Sequence, residues 1–406
     1  ETLSVFRTEL TADQRGTRPV LICNATLSAG GAERQFVLLA EAIVAAGLPP
    51  SDLHVALFSL IGDRGHRHFL PPLERLGVTV HDLRAGAQDG ARLGPATAAF
   101  LEALPEPLRS DSAALLALAA RLQPRLIHGW QDRAGLAAGL AGLLLGTPRV
   151  VMSARNMRPQ ARGDRTRYAR KLYAELARQP GMALTANSNP GARDYEDWLD
   201  LGLGQVSRLG NGLDIARFPV FPCEAGPDLT IGGVFRLAAN KRPELWLRTV
   251  ARLRDRLGAH IRPRLVGHGP LRGAILELAE TLGLAPLDIA AHLTEPEEIY
   301  GGLDCLLLMS RVEGTPNVVL EAQACGLPVA ACNVGGVADA LAQGRAGGLL
   351  LPAEITAEAA AGQLMPWLET LHTPEGPAAR RAFVAEGYSK AALRDRVMGL
   401  YGGALA

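Results

Sequence analysis

The stretch Asp304-Cys-Leu-Leu-Leu-Met309 and the segment that follows, Glu313-Gly-Thr-Pro-Asn-Val-Val-Leu-Glu321, run from an apolar stretch through a turn into an apolar helix. An unbroken apolar run this short has the pattern of a strand buried on both faces, and Val318 to Cys325 carry helical spacing. The turn therefore falls at a strand's carboxyl end and a helix's amino end. The first N–H groups of a helix have no internal partner, and the macrodipole makes them attractive to phosphate. Glu313 and Glu321 stand eight positions apart around this turn. An acid beside phosphate repels it, so both read as holders of hydroxyl groups, those of a sugar or a ribose. A plainer reading, Glu321 as a first-turn helix acid and Glu313 as a solvated loop residue, stays open on this segment alone.

Upstream, Gly233-Val-Phe-Arg236-Leu-Ala-Ala-Asn-Lys241-Arg242-Pro243 reads as a strand, a short loop and a helix opening at Pro243, the favoured first helical position for proline. Arg236 and Lys241 sit at the strand end and loop tip, where two cations above a helix N-terminus form a diphosphate site that needs no metal. Between the two elements, Val266-Gly-His-Gly-Pro-Leu-Arg272 is another strand-to-helix turn, and Gly267 lets backbone approach a ligand closely.

In this order the three segments resemble the donor-binding half of the retaining, nucleotide-sugar-dependent glycosyltransferases of GT-B fold known as family 4. The first half agrees. Ser28-Ala-Gly-Gly-Ala-Glu-Arg-Gln35, after the strand Val20-Leu-Ile-Cys23, is similar to the Gly-Gly-Ala-Glu-Arg opening of bacterial members. Asn211-Gly-Leu-Asp-Ile-Ala-Arg-Phe218 resembles the family's Asn-Gly-Val-Asp segment, and Glu313 with Glu321 its paired glutamates. The resemblance spans residues 18 to 400. It implies two facing Rossmann-like domains with chemistry in the cleft between them, and a C-terminal helix that crosses back to the first domain.

Composition is consistent with that. A chain of 406 residues that is 48% apolar can bury two cores. Its net charge of +1 gives no global attraction for nucleic acid, which is not expected as a partner. Five cysteines show no Cys-x-x-Cys spacing and read as reduced thiols of a cytoplasmic protein. Residues 1–18 lack the apolar core of a signal peptide, and no stretch has the length of a membrane span. The sequence starts at Glu1 rather than methionine and so reads as a trimmed or processed form.

Strands are expected at 19–24, 54–60, 77–81, 125–129, 149–153 and 183–187, then at 229–235, 262–267, 304–309, 328–332 and 348–351. Helices near 31–46, 112–122, 133–144, 165–179, 243–257, 270–283, 317–325, 336–343 and 390–401 alternate with them, the pattern of parallel sheets covered on both faces. Three prolines between Phe218 and Pro227 mark a connector. The expected division is an acceptor-side domain over 18–217, a nucleotide-sugar-binding domain over 218–385, and a helix over 386–406 that packs on the first domain.

Ligands of open α/β sheets bind outside the strands' carboxyl ends. Breaking a sugar–phosphate bond leaves negative charge on the nucleoside diphosphate. Arg236, Lys241 and the amides of Gly314, Thr315, Pro316 (which has no N–H itself), Asn317 and Val318 surround the place where it gathers. By resemblance, Glu313 holds the donor sugar and Glu321 the ribose, and the loop with Gly30 and Gly31 presses on the diphosphate from the first domain. No Asp-x-Asp motif or metal-spaced His/Asp cluster is visible, so neither metal nor cofactor is expected, only the nucleoside diphosphate sugar as co-substrate. Many members carry a histidine after the strand corresponding to 149–153. Here Arg155 takes that slot, and as a permanent cation it binds an anion rather than acting as a base. His128, ending the strand from Arg125, is a second cleft candidate or a hydrogen-bonded structural histidine.

From Arg155 to Arg178, eight cations (Arg155, Arg158, Arg162, Arg165, Arg167, Arg170, Lys171, Arg178) face two acids, Asp164 and Glu175. Contact with anionic lipid, binding of a phosphate-bearing acceptor and a solvated helix face all fit this segment. The expected protein is a metal-independent, retaining glycosyltransferase of hexosyltransferase type. It moves sugar from a nucleotide-sugar donor to a glycan or polyprenyl-linked acceptor in cell-surface polysaccharide or glycolipid synthesis, on the cytoplasmic side, with peripheral contact of 155–178 with anionic membrane as one of the open readings of that segment. The alternatives are a non-catalytic nucleotide-sugar-binding scaffold and an epimerase of the same fold.

Overall fold

The structure, a computed structural model, describes residues 18–61, 64–85, 95–159, 164–221, 226–291, 293–344, 347–371 and 373–405. The chain folds into two compact units, residues through Gly212 with Leu393 onward, and Leu213–Ala392. Each is a Rossmann-like α/β domain. The divisions fall a few residues from the expected 217/218 and 385/386, and part of the expected connector, 222–225, lies outside the described residues.

The first unit's sheet comprises β1 (Val20–Asn24), β2 (Leu53–Leu57), β3 (Thr79–Asp82), β4 (Leu126–Trp130), β5 (Arg149–Ala154), β6 (Met182–Ala186) and β7 (Val206–Arg208), in the order β3-β2-β1-β4-β5-β6-β7. Every pairing in it is parallel. The central strands are largely apolar because both faces are covered, whereas the edge strands β3 and β7 carry exposed or half-buried polar residues. Along β1, Leu21 and Cys23 enter the core on one face, while Val20 and Ile22 enter the core on the other. The helix Gln131–Leu145 lies unusually close to β5, since a Cβ on Gly142 would stand 2.3 Å from Val150 Cγ2. The final helix, Lys390–Tyr401, inserts Leu393, Val397 and Tyr401 into the core with Val20 and Ile22, their four-residue spacing forming one helical stripe.

The second unit's sheet comprises β8 (Leu229–Val234), β9 (Ile261–Val266), β10 (Asp288–Ala290), β11 (Cys305–Leu308), β12 (Val329–Cys332) and β13 (Leu349–Leu351), in the order β10-β9-β8-β11-β12-β13, again parallel. Strand order reverses at β8 and β11, the position where open α/β sheets form a ligand crevice. Among the described residues no helix is long and apolar enough to cross a membrane. Cys23, Cys305, Cys325 and Cys332 are buried free thiols.

Candidate functional site

β8 and β11 are paired through Cys305 with Ile231 and Leu306 with Gly232, so the loops that leave them are neighbours. Arg311 N–H donates to Asn240 O at 2.8 Å and laces the two loops together. Arg242 fixes them further. It is buried with φ 50°, and its guanidinium donates to Met309 O (2.6 Å), Ser310 O (3.0 Å) and Ala353 O (2.9 Å). A non-glycine residue in the left-handed region is strained by about 1–3 kcal/mol, and three charge-assisted bonds offset that. Sequence reasoning gave Arg242 no role. Its signal was Pro243, which makes Arg242 the helix cap although arginine is not a capping residue.

On this scaffold Lys241 Nζ stands 2.5 Å from Glu313 Oε1, with the two side chains 23% and 9% exposed. Glu313 is therefore buried and paired, not a solvated loop residue. Arg236 is exposed, and its guanidinium has no hydrogen-bond or ion-pair partner among the described residues. Gly314, Thr315 and Pro316 are buried, Asn317 and Val318 half-buried, and Gly336 N–H donates to Gly314 O at 2.9 Å. The helix Asn317–Ala324 opens at this point with no side-chain cap. Glu321 is 4% exposed and accepts a 2.5 Å bond from the buried Tyr300 hydroxyl, so it is not a plain surface acid either.

Gly267 and Gly269 complete the rim. Their φ values are 148° and 157°, and a Cβ on either would stand 2.0 Å from Phe235 O or 2.4 Å from Leu237 O. The turn lies directly on the backbone leaving β8, with Leu237 N–H donating to His268 O at 2.9 Å. Arg236, Lys241, Glu313, Gly267 and the Gly314–Val318 turn thus lie at the carboxyl ends of β8, β9 and β11.

Residues 228–369 match the family described as Glycosyl transferases group 1. The chain is 31% identical over 311 residues to the D-inositol 3-phosphate glycosyltransferase of Geodermatophilus obscurus, covering 69% of this chain and 67% of that one. The chain belongs to the group 1 glycosyltransferases. This glycosyltransferase is also 29% identical over 373 residues to the Vi polysaccharide biosynthesis protein VipC/TviE of Salmonella typhi, covering 81% of this chain and only 61% of that relative's length. The crystal structure of HepE from Anabaena in complex with UDP and glucose superposes with a TM-score of 0.70 at 16% identity, covering 95% of this chain and 100% of that one, which establishes the two-domain GT-B fold.

In the first unit of the glycosyltransferase, Gly30 precedes the helix Gly31–Ala45, which has no side-chain cap. A Cβ on Gly30 would meet Glu33 Oε2 at 2.1 Å, and Gln131, at φ 67°, donates to Glu33 Oε1 at 3.1 Å. Two expectations need correction. Arg155 does not hold its guanidinium out for an anion. It donates to Leu209 O at 2.7 Å and to Asn211 Oδ1, and lies 4.0 Å from the Trp130 ring. Burial and the nearby Arg396 push it down to about 9, which leaves it protonated at neutral pH.

His128 is the second. It is fully buried, 2.6 Å from both Tyr401 Oη and Ser153 Oγ, and so is a core histidine. Burial, with a smaller effect of Arg155, pushes it down to about 3, so the ring is neutral. The basic segment is also not one free face. Arg158 pairs with Asp194 at 3.3 Å, Arg170 donates to Trp198 O and Arg178 to Asp200 O, while Lys171 is exposed. Arg162 and the side chains of Arg165 and Arg167 lie outside the described residues.

Proposed function

We propose that this glycosyltransferase is a retaining, metal-independent enzyme of the family 4 type. It moves a sugar from a nucleoside diphosphate sugar to a glycan or lipid-linked acceptor in cell-surface polysaccharide or glycolipid synthesis. The observation that carries the donor assignment is the Lys241–Glu313 pair ahead of the helix Asn317–Ala324, with Arg236 on the same loop as Lys241. An ammonium has three donors and a carboxylate two acceptor oxygens, so each partner keeps capacity beyond their mutual bond. Lys241 turns the remainder to diphosphate oxygens, and Glu313 turns its second oxygen to sugar hydroxyls. As the glycosidic bond lengthens, charge on the departing diphosphate is met by Arg236, Lys241 and the helix amides. These cations supply the charge a divalent metal would otherwise bring, which is the ground for metal independence. No further cofactor is invoked.

The Vi relative's name supports polysaccharide synthesis as the setting, and buried free thiols suit the cytoplasmic face. Contact of 155–178 with anionic lipid draws less support, because Arg158, Arg170 and Arg178 spend donors on the protein itself. The test is a panel of nucleoside diphosphates scored by thermal stabilisation, followed by transfer from the matching sugar donor. A ligand at a hundred times its Kd adds about 2.7 kcal/mol. NMR of the product's anomeric proton then reads the stereochemistry. Inversion overturns retention, and a panel without any stabilising diphosphate overturns the donor assignment.

A further inference from the structure

A pocket of about 290 Å³ opens beside the final helix of the first unit, lined by Arg149, Thr185, Ser207, Arg208, Leu209, Arg396, Gly399 and Leu400. Three arginines line it, Arg396 also donating from Nη2 to Asn211 O at 3.2 Å, and among the described residues no carboxylate does. In a chain of net charge +1 this is a concentrated positive site. Arg149 donates from Nη2 to Leu400 O at 2.9 Å, while its buried Nε–H has no hydrogen-bond partner among the described residues. Arg208 folds over the backbone, its Nη2 3.4 Å from where a Gly210 Cβ would be.

A second observation comes from the direction of a buried hydrogen-bond chain. Tyr401 Oη, His128, Ser153 Oγ and Thr185 Oγ1 are linked in series, each step 2.6 Å. Tyr401 is 2% exposed, and its hydroxyl proton has His128 Nδ1 as its acceptor. His128 is neutral, so Nε2 carries the ring's proton and donates to Ser153. Ser153 then donates to Thr185, itself fully buried, and the Thr185 hydroxyl proton is left over at the pocket wall. The reverse order would strand the tyrosine proton in the core, which is the costlier arrangement. The chain thus ends at a lining residue of the pocket with one hydroxyl proton to spare.

We propose that this pocket binds a small phosphate-class anion, separate from the donor loops of the second unit. Guanidinium forks match tetrahedral oxyanions. A volume at the low end of ordinary ligand pockets fits a phosphate or diphosphate group rather than a whole nucleotide sugar. Because Arg396, Gly399 and Leu400 come from the final helix, the anion ties that helix to β6 and β7.

The test is calorimetric titration of inorganic phosphate and pyrophosphate at constant ionic strength, in an Arg236→Ala/Lys241→Ala background that weakens the donor loops, with the change caused by the pocket variants read against that background. Saturable binding is expected, weakened tenfold or more by Arg208→Gln and several-fold by Thr185→Val, which keeps the side chain's shape but removes the donated proton. Circular dichroism checks that both variants are folded. Phosphatidylglycerol vesicles separate the sources: competition with phosphate assigns a lipid headgroup, and its absence a soluble anion. Lack of saturable binding, or equal binding by folded Arg208→Gln and Thr185→Val, overturns the proposal.

Discussion

Lys241 Nζ lies 2.5 Å from Glu313 Oε1, joining two loops whose contacting residues are 72 positions apart in the chain. The pair holds a cation and a carboxylate at the β8 and β11 ends before any donor arrives. Each is expected to contact a different part of the donor while keeping its bond to the other. Lys241→Ala and Glu313→Gln should therefore each lower turnover tenfold or more, since a charge-assisted contact contributes about 1.5–3 kcal/mol. The double variant should lose less than the two effects multiplied, because each single change already disturbs the shared pair. Steady-state kinetics of the four proteins decide it, and strictly multiplicative losses would sink the shared role.

Arg242 is expected to act through the scaffold, not the substrate. Replacing it with methionine keeps much of the side-chain volume but leaves Met309 O, Ser310 O and Ala353 O without their donor and keeps the left-handed backbone. The loss should be about 3 kcal/mol or more, which is about 6–12 °C in Tm at 2–4 °C per kcal/mol for a domain of this size. Scanning calorimetry reads it directly. A Tm within one degree of the parent's would show that the three bonds do not hold the loops.

Gly267→Ala tests the close approach at the rim. Its Cβ would stand 2.0 Å from Phe235 O at a backbone angle other residues avoid, so the turn must move off the β8 exit. Nucleoside diphosphate affinity is expected to fall at least tenfold. The fold should persist, because the turn is at the surface of the sheet's end. Titration of the nucleotide found in the thermal panel measures this, and parental affinity would remove Gly267 from the site.

Much of this was legible from the sequence, and the exceptions have physical causes. Apolar runs such as Val20–Cys23 and Cys305–Leu308 announce buried parallel strands because both faces are covered. β7 and β10 are three residues each, at sheet edges and with exposed or half-buried positions, so Val206-Ser-Arg and Asp288-Ile-Ala carry no period to read. The helix Asn189–Leu199 hid behind Pro190 and Gly191, although Ser188 caps it by accepting from Gly191 N–H. At the site, residue types and order pointed to Arg236, Lys241 and Glu313. That Lys241 and Glu313 touch, and that Tyr300 holds Glu321, depends on strand pairing, which no local pattern encodes. His128 and Arg155 misled for a related reason. A strand's carboxyl end is where ligands bind, but the final helix and Trp130 already occupy their surroundings.

Metal independence has a direct measurement. If Arg236, Lys241 and the helix amides carry the leaving-group charge, transfer should continue at an unchanged rate in excess EDTA after dialysis. Loss of activity that Mg²⁺ or Mn²⁺ restores would show that a divalent ion supplies this charge instead.

The buried histidine makes stability depend on pH in a definite direction. His128 is pushed from 6.5 down to about 3 by burial and, to a lesser extent, by Arg155. In the fold it stays neutral above about 3, whereas the unfolded chain takes up a proton below 6.5. The unfolded state therefore binds more protons across that window, and stability falls as the pH is lowered through it. At pH 5 the loss from His128 alone is about 2 kcal/mol, at 1.36 kcal/mol per pH unit. His81, lowered to about 4 chiefly by burial, adds to it with the same sign. His128→Gln removes the larger titration but keeps a polar side chain beside Ser153. Melting curves at pH 7.5 and 5.0, above the range where most carboxylates titrate, should show the parent losing about 4–8 °C more than the variant, at 2–4 °C per kcal/mol for a domain of this size. Equal losses in the two proteins would mean that the ring finds water or a proton acceptor in the folded state, and the neutral chain from Tyr401 to Thr185 would have to be abandoned.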